Sequence, residues 1–330
     1  MKKNYFKLII ISFLFLSIIG LLYIHLIKRY KILQSLINKS KTEKSIKDKE
    51  DSLKKNKSKF SFEKCYHSPD NTNLRIMHII ITRFMIKLKG IPVDISPEKI
   101  YEEEYILNGI RVMKKYLIPS LENQSCKKFI FILMVGDRIN ITYIKSLINL
   151  KNTFKTKIIY QKSIKNYIRN ITNGSDILIT TRIDYDDRIY YDAVNDVRKT
   201  ININKPMIVY GYNRGVHFYE NENKYYEFFK DYNKDGVMSI FISLIIVLKK
   251  VNDIYTVYDL GGHTIIRNTI LKSFKLFGIN KLNYEPAIFD SGEAKFVWVR
   301  HNYSGTLNYS KRVKKYLKAY NFNLTKFYGK

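Results

Sequence analysis

From residue 74 onward, short apolar runs alternate with stretches whose apolar residues recur at helical spacing, and that alternation predicts an α/β fold. Ile76–Phe84 is an apolar run closed by Gly90 and Pro92 and reads as the first core strand. Tyr101–Leu117 sets Tyr105, Ile106, Ile110, Met113 and Leu117 near a helical period. Pro119 interrupts that pattern and Ser120–Gln124 continues it. Phe129–Val135 reads as a second buried strand ending at Gly136-Asp137. Thr142–Leu150 is helix-like, Lys157–Gln161 is a third strand, and Ser163–Ile171 is a short helix. Ile177–Ile183 is a fourth apolar strand that runs straight into Asp184-Tyr185-Asp186-Asp187. Strands and helices in this order imply a mainly parallel central sheet with helices on its faces. Met207–Tyr212 and Met238–Leu248 are β-branched and aliphatic, and the second fits either a strand or a buried helix. Ile265–Lys275 reads as helical and Arg312–Tyr320 as a short basic helix.

The pattern upstream is different. Leu8–Ile27 contains no Asp, Glu, Lys or Arg, and His25 is its one ionisable residue. Roughly 20 apolar residues at ~1.5 Å each span a bilayer core of ~30 Å. The run ends in Lys28-Arg29-Tyr30-Lys31 with no small-residue cleavage site, so it reads as an uncleaved transmembrane helix and not as a signal peptide. The organisation that follows is a short basic N-terminus over 1–7, an anchor over 8–27, a Lys-rich stalk over 28–73 and a folded domain over 74–330. Lys28, Arg29, Lys31, Lys39, Lys41, Lys44 and Lys47 outnumber Lys2, Lys3 and Lys7, which places the domain in the cytoplasm. A lumenal domain is the alternative in a eukaryotic cell.

Composition adds a charge question. The 330 residues carry a formal charge of +29, with 45% apolar residues, enough to bury a core. Residues 1–60 hold 15 Lys and Arg against 4 Asp and Glu, so the charge is shared between the stalk and the domain. An electropositive domain attracts anionic lipids, nucleotide diphosphates or nucleic acid. Ile, Lys, Asn and Tyr are abundant throughout, which reads as a global bias with a solvated Lys-rich surface, and no specific nucleic-acid partner is expected. Cys65 and Cys126 have no zinc-ligand spacing. Free thiols in a reducing compartment are the default, and one disulfide is the alternative.

The acidic run is the sharpest chemical feature. Three carboxylates in four residues repel one another unless something positive binds them. They follow a buried strand and therefore sit at its carboxyl end, the edge where ligands bind in open α/β sheets. Hard oxygen ligands suit Mg2+ or Mn2+ bridging a pair of phosphates. Arg182 is placed to orient a carboxylate or meet a phosphate, and Arg83 ends the first strand at the same edge. A solvated acidic turn capping the next helix is the competing reading.

Thr181-Arg182-Ile183-Asp184-Tyr185-Asp186-Asp187 resembles the T-R-x-D-x-D-D signature of the putative rhamnosyltransferase family, a GT-A-like glycosyltransferase group. Ile81-Thr82-Arg83-Phe84, Pro119-Ser120-Leu121 with Gln124 and Phe129, Gly262-His263-Thr264 and the stretch Trp298 to Ser304 resemble other segments of the family in the same order. The resemblance spans roughly 75–305. It implies a GT-A-like domain, a nucleotide-sugar donor, a glycan or lipid-linked acceptor and a divalent metal, Mn2+ or Mg2+. It also implies site roles. Asp186 and His301 would hold the metal. Asp184 would bind the donor and Asp187 would be catalytic. Read from their own positions, Arg83, Arg182 and His263 are further donor contacts, and Asp290 is a candidate catalytic carboxylate. Asp259, Glu285 and Glu293 stand beside Asp290 as possible general bases. Trp298 suits the core better than a sugar-stacking role.

Two other classes compete. A phosphotransferase of the haloacid-dehalogenase type places its Asp-x-Asp after the first strand with a Thr soon after, and neither condition holds here. A membrane-tethered, non-catalytic basic protein would bind nucleic acid or another polyanion with steep salt dependence. No G-x-x-x-x-G-K-S/T or G-x-G-x-x-G run occurs, which sets aside P-loop and dinucleotide-binding enzymes.

Overall fold

The computed structural model describes residues 65, 73–86, 98–148, 154–212, 214–229, 241–260, 285–289, 294–301 and 319–329. The predicted anchor Leu8–Ile27, the stalk to residue 64, and the helices predicted over Ile265–Lys275 and through most of Arg312–Tyr320 lie outside them. Among the described residues no helix is long and apolar enough to cross a membrane.

The elements are β1 (Ile76–Phe84), α1 (Glu103–Lys115), α2 (Leu117–Glu122), β2 (Ile130–Val135), α3 (Ile141–Leu147), β3 (Lys155–Tyr160), α4 (Ile164–Ile171), β4 (Ile177–Arg182), β5 (Arg188–Ile189), α5 (Ala193–Lys199), β6 (Met207–Tyr212), β7 (Arg214–Tyr219), β8 (Lys224–Phe229), β9 (Ile242–Val247), β10 (Glu285–Phe289), β11 (Phe296–Arg300) and α6 (Leu324–Phe327). Pro119 falls in the first turn of α2, where the missing N–H has no intrahelical partner to lose, so the chain restarts a helix there. Asn140 caps α3 by accepting hydrogen bonds from the Thr142 and Tyr143 amides.

The main sheet runs β10-β6-β9-β4-β1-β2-β3. Strands β3, β2, β1 and β4 are parallel, and β9 is antiparallel to both β4 and β6. The sheet is therefore mainly parallel, as expected, and is made mixed by β9 alone. The ambiguous Met238–Leu248 run resolves as this antiparallel strand. Every residue of β9 is buried, and a strand covered on both faces reads as an unbroken apolar run with no period.

A second sheet, β5-β11-β7-β8, was not expected from the pattern. Its strands are short, and β5 has two residues. Gly215 on β7 is required by packing. A Cβ there would lie 2.2 Å from the Phe296 ring, which fills the space between this sheet and the main core.

Cys65 and Cys126 are joined as a disulfide, which corrects the free-thiol default. Cys65 thus meets the α2–β2 connection at Cys126, and a sequence separation of 61 gave no hint of that approach. A bridge closing a loop of this size stabilises by roughly 2–4 kcal/mol, mainly through the unfolded chain. Cys65→Ser should lower the denaturant midpoint accordingly, and the wild-type chain unfolded without reductant should show no alkylatable thiol. An unchanged midpoint together with two free thiols would contradict the bridge.

Candidate functional site

The site begins where β1 and β4 end. Their parallel register pairs Ile81 with Arg182, and Arg83 lies two residues beyond Ile81, so alternation sets both arginines on one sheet face. The Tyr258 ring lies under both guanidiniums, 5.4 Å from Arg83 and 5.6 Å from Arg182, and its hydroxyl donates to the Ile81 carbonyl at 3.2 Å. Asp184 Oδ1 lies 3.6 Å from Arg83 Nη2 and 3.4 Å from Arg182 Nη2. One carboxylate thus faces two cations whose planar forks suit oxyanions. Immediately after Phe84 the chain turns sharply away, with Met85 at φ 52°, a left-handed conformation uncommon for a side chain of this size.

The acidic loop is held by its alternate residues. Tyr185 packs inward, edge-on to Phe84 at 5.4 Å, and shares a hydrogen bond with Tyr105 of α1. Burial, and then the charge of Asp186, push the Tyr105 phenol up to about 12. Asp186 Oδ2 meets His301 Nε2 at 3.1 Å. Asp187 is wholly buried. Its Oδ1 accepts the Val299 N–H at 3.0 Å, and its Oδ2 has no partner among the described residues. Burial, with the charges of Asp186 and Asp184, pushes the Asp187 carboxyl well above the ordinary range, and the Val299 N–H and Arg300 offset this only in part. The three aspartates therefore face three different environments, and Asp187 faces the core.

His301 leaves the end of β11, which lies between β5 and β7. Below it Arg300 lies over the Trp298 ring at 3.9 Å, and Trp298 stacks on His217 at 5.0 Å. Burial, and then Arg300, push the His217 imidazole down to about 3, so it is neutral near pH 7. Trp298 belongs to this stack and is half-buried, packed against the core from its edge.

Glu220 had no sequence signal pointing to it. It follows β7, whose Tyr219 pairs with Arg300, so Glu220 and His301 leave adjacent strand ends. Its Oε1 accepts hydrogen bonds from Tyr116 Oη and Lys115 Nζ, both at 2.7 Å. Of the other candidate bases, Asp259 accepts from the Thr256 amide and hydroxyl and closes its own turn. Glu285 begins β10 and so lies at the opposite edge of the sheet from the arginines. Asp290, Glu293 and His263 lie outside the described residues. An open cavity of about 650 Å³, lined in part by Arg169, Gly174, Leu248 and Asp253, sits at the amino-terminal end of β4, at the opposite end of that strand from the acidic turn.

A family profile described as Putative rhamnosyl transferase matches residues 83–256, more than half of the chain. No curated protein matches the sequence. Among solved structures, the chain aligns with a putative nucleotide-diphospho-sugar transferase from Desulfovibrio desulfuricans G20 at 9% identity, covering 69% of this chain and 83% of that one with a TM-score of 0.35. It aligns with S. aureus TarS 1–349 at 12% identity, covering 68% and 60% with a TM-score of 0.36. HddC from Yersinia pseudotuberculosis aligns at 14% identity over 74% of this chain and 100% of that one, with a TM-score of 0.33. Alignments at these TM-scores do not define a shared fold.

The setting of Asp187 separates two substitutions. Asp187→Ala leaves the Val299 N–H unpaired in the core and should cost about 1–3 kcal/mol in denaturant unfolding. Asp187→Asn keeps an acceptor oxygen there and resembles the neutral acid that burial favours, so it should cost under about 1 kcal/mol. Equal losses from the two would contradict the assignment.

Proposed function

This chain belongs to the Putative rhamnosyl transferase family, and from that premise we propose that it moves a sugar, with rhamnose the first candidate, from a nucleotide-diphosphate donor to a hydroxyl of a glycan or lipid-linked acceptor. The observation that carries the proposal is the contact of Asp186 with His301 beside the Asp184, Arg83 and Arg182 cluster. Sugar transfer releases a diphosphate, and the energetic problem is charge developing on the leaving oxygen. Arg83 and Arg182, oriented by Asp184 and by the Tyr258 ring, would take the phosphate oxygens.

The residues fit a divalent metal shared with the donor. Asp186 Oδ2 and His301 Nε2 stand 3.1 Å apart and present a hard oxygen and an imidazole nitrogen to one point. Among the described residues no set of three or more His, Cys, Asp or Glu is arranged to hold an ion. The protein would thus supply two ligands and the donor phosphates the remainder, a division common for Mg2+. Bound there, Mn2+ or Mg2+ would neutralise charge on the departing diphosphate. In this reading Asp187 is a positioning residue: its bond to Val299 ties the acidic loop to the strand that presents His301.

The span Leu8–Ile27 is proposed as a single-pass anchor, which would keep the enzyme beside a lipid-linked acceptor. The Cys65–Cys126 bridge suits an oxidising compartment. We therefore favour that side of the membrane for the domain over the cytoplasmic side indicated by the flanking lysines.

Full-length protein in detergent, offered a panel of nucleotide-sugars with Mn2+, should release nucleotide from one of them, and EDTA should stop the release. Asp186→Ala and His301→Ala should each lower kcat/KM by about 100-fold or more, equivalent to roughly 2.7 kcal/mol of transition-state stabilisation. Arg83→Ala should act mainly on donor KM. Turnover that survives both EDTA and Asp186→Ala would overturn the site.

A further inference from the structure

We propose that Glu220 is the acceptor-side carboxylate of this site, whose Oε2 takes the proton from the hydroxyl that attacks the donor. The inference rests on the sugar-transfer reading above and supplies the base that reading lacks.

Topology sets Glu220 in place. Strands β7 and β11 are parallel, with Tyr219 opposite Arg300, so the next residues, Glu220 and His301, emerge side by side. Parallel neighbours lie about 4.8 Å apart. The strand order β5-β11-β7 puts His301 between the acidic turn, which precedes β5, and Glu220. The order is therefore the arginine pair at Asp184, then Asp186 bonded to His301, then Glu220 on the strand end beside His301. A displacement at the anomeric carbon needs the attacking and leaving oxygens on opposite sides of that carbon, and this order keeps the acceptor-side carboxylate apart from the arginines that would hold the diphosphate.

The chemistry of the side chain agrees. Tyr116 Oη and Lys115 Nζ both donate to Oε1 at 2.7 Å and fix the carboxylate. Tyr116 is fully buried, so this anchor is rigid. Oε2 has no hydrogen bond among the described residues, and the side chain is 18% exposed, within reach of a substrate. Partial burial works to raise its pKa, but the hydrogen bonds from Lys115 and Tyr116 and the charge of Lys115 hold it below the ordinary carboxylate range. It is therefore ionised at neutral pH and able to receive a proton as the attacking hydroxyl becomes acidic.

The step balances without another reactant. The acceptor oxygen forms a bond to the anomeric carbon. The bond from that carbon to the diphosphate oxygen breaks, and its electron pair leaves on the diphosphate. The acceptor O–H bond breaks, and the proton passes to Glu220 Oε2. The anomeric centre inverts.

The test needs no knowledge of the natural acceptor, because water serves in its place. Full-length wild type, Glu220→Gln and Glu220→Ala are compared with Mn2+ and the nucleotide-sugar that turns over in the panel, reading nucleoside diphosphate release. Glu220→Gln should lose about 100-fold or more in kcat, with donor KM within about threefold of wild type. Sodium azide, a nucleophile that needs no base, should raise release by Glu220→Ala at least about tenfold and yield an inverted glycosyl azide, with no gain for wild type. Intact donor binding with Glu220→Gln turnover near wild type, or Glu220→Ala release indifferent to azide, would overturn the role of Glu220 alone. Failure of the wild-type chain to bind nucleoside diphosphate with Mn2+ would overturn the sugar-transfer reading beneath it.

Discussion

Like charges crowded into one turn must each find a different counterpart, and the architecture around residues 184–187 follows from that constraint. At a separation of 4 Å and an effective dielectric near 20, a pair of unit charges interacts by about 4 kcal/mol. The crowding is eased by dividing the aspartates, with burial favouring the neutral acid at Asp187. Asp184 goes to Arg83 and Arg182, Asp186 goes to His301, and Asp187 goes into the core against the Val299 amide. Tyr185, packed on Phe84, keeps the division in register. Those partners come from the ends of β1, β4 and β11, so the two sheets have to meet at this edge.

That meeting gives the site a direction. The main sheet contributes cations and an aromatic ring at the carboxyl ends of β1 and β4. The second sheet contributes His301 and then Glu220, in the order of its strands. A donor diphosphate against the arginines and an acceptor toward Glu220 would place the anomeric carbon near Asp186 and His301. The family match over residues 83–256 takes in Arg83, Arg182, the acidic turn and Glu220, while His301 lies beyond it and joins them through strand pairing.

Much of the main sheet is legible in the sequence because its strands are buried on both faces. Ile76–Phe84 was bounded as observed, and Ile177–Ile183 differs from β4 by one residue. The acidic turn was legible for the same reason, since charge after an unbroken apolar run is conspicuous. The second sheet was not. Arg214–Tyr219 and Phe296–Arg300 interleave charged, aromatic and β-branched residues, and β5 is too short to show any period. Missing that sheet also meant missing Glu220, whose proximity to His301 comes from strand pairing across a wide sequence gap and from no local motif. The cystine was hidden in the same way. Asp187 looked equivalent to its neighbours in sequence, and only the direction of its side chain separates it from them.

The central claim is that Asp186 and His301 converge on one cation that a donor diphosphate completes. Crystals soaked with MnCl2 and a nucleoside diphosphate, measured at the manganese absorption edge, test it directly. The account predicts one anomalous peak at a coordination distance of about 2.1 Å from both Asp186 Oδ2 and His301 Nε2, with the diphosphate on its open side toward Arg83 and Arg182. A nucleotide bound with no peak at that pair, or a peak held by other residues, would contradict it.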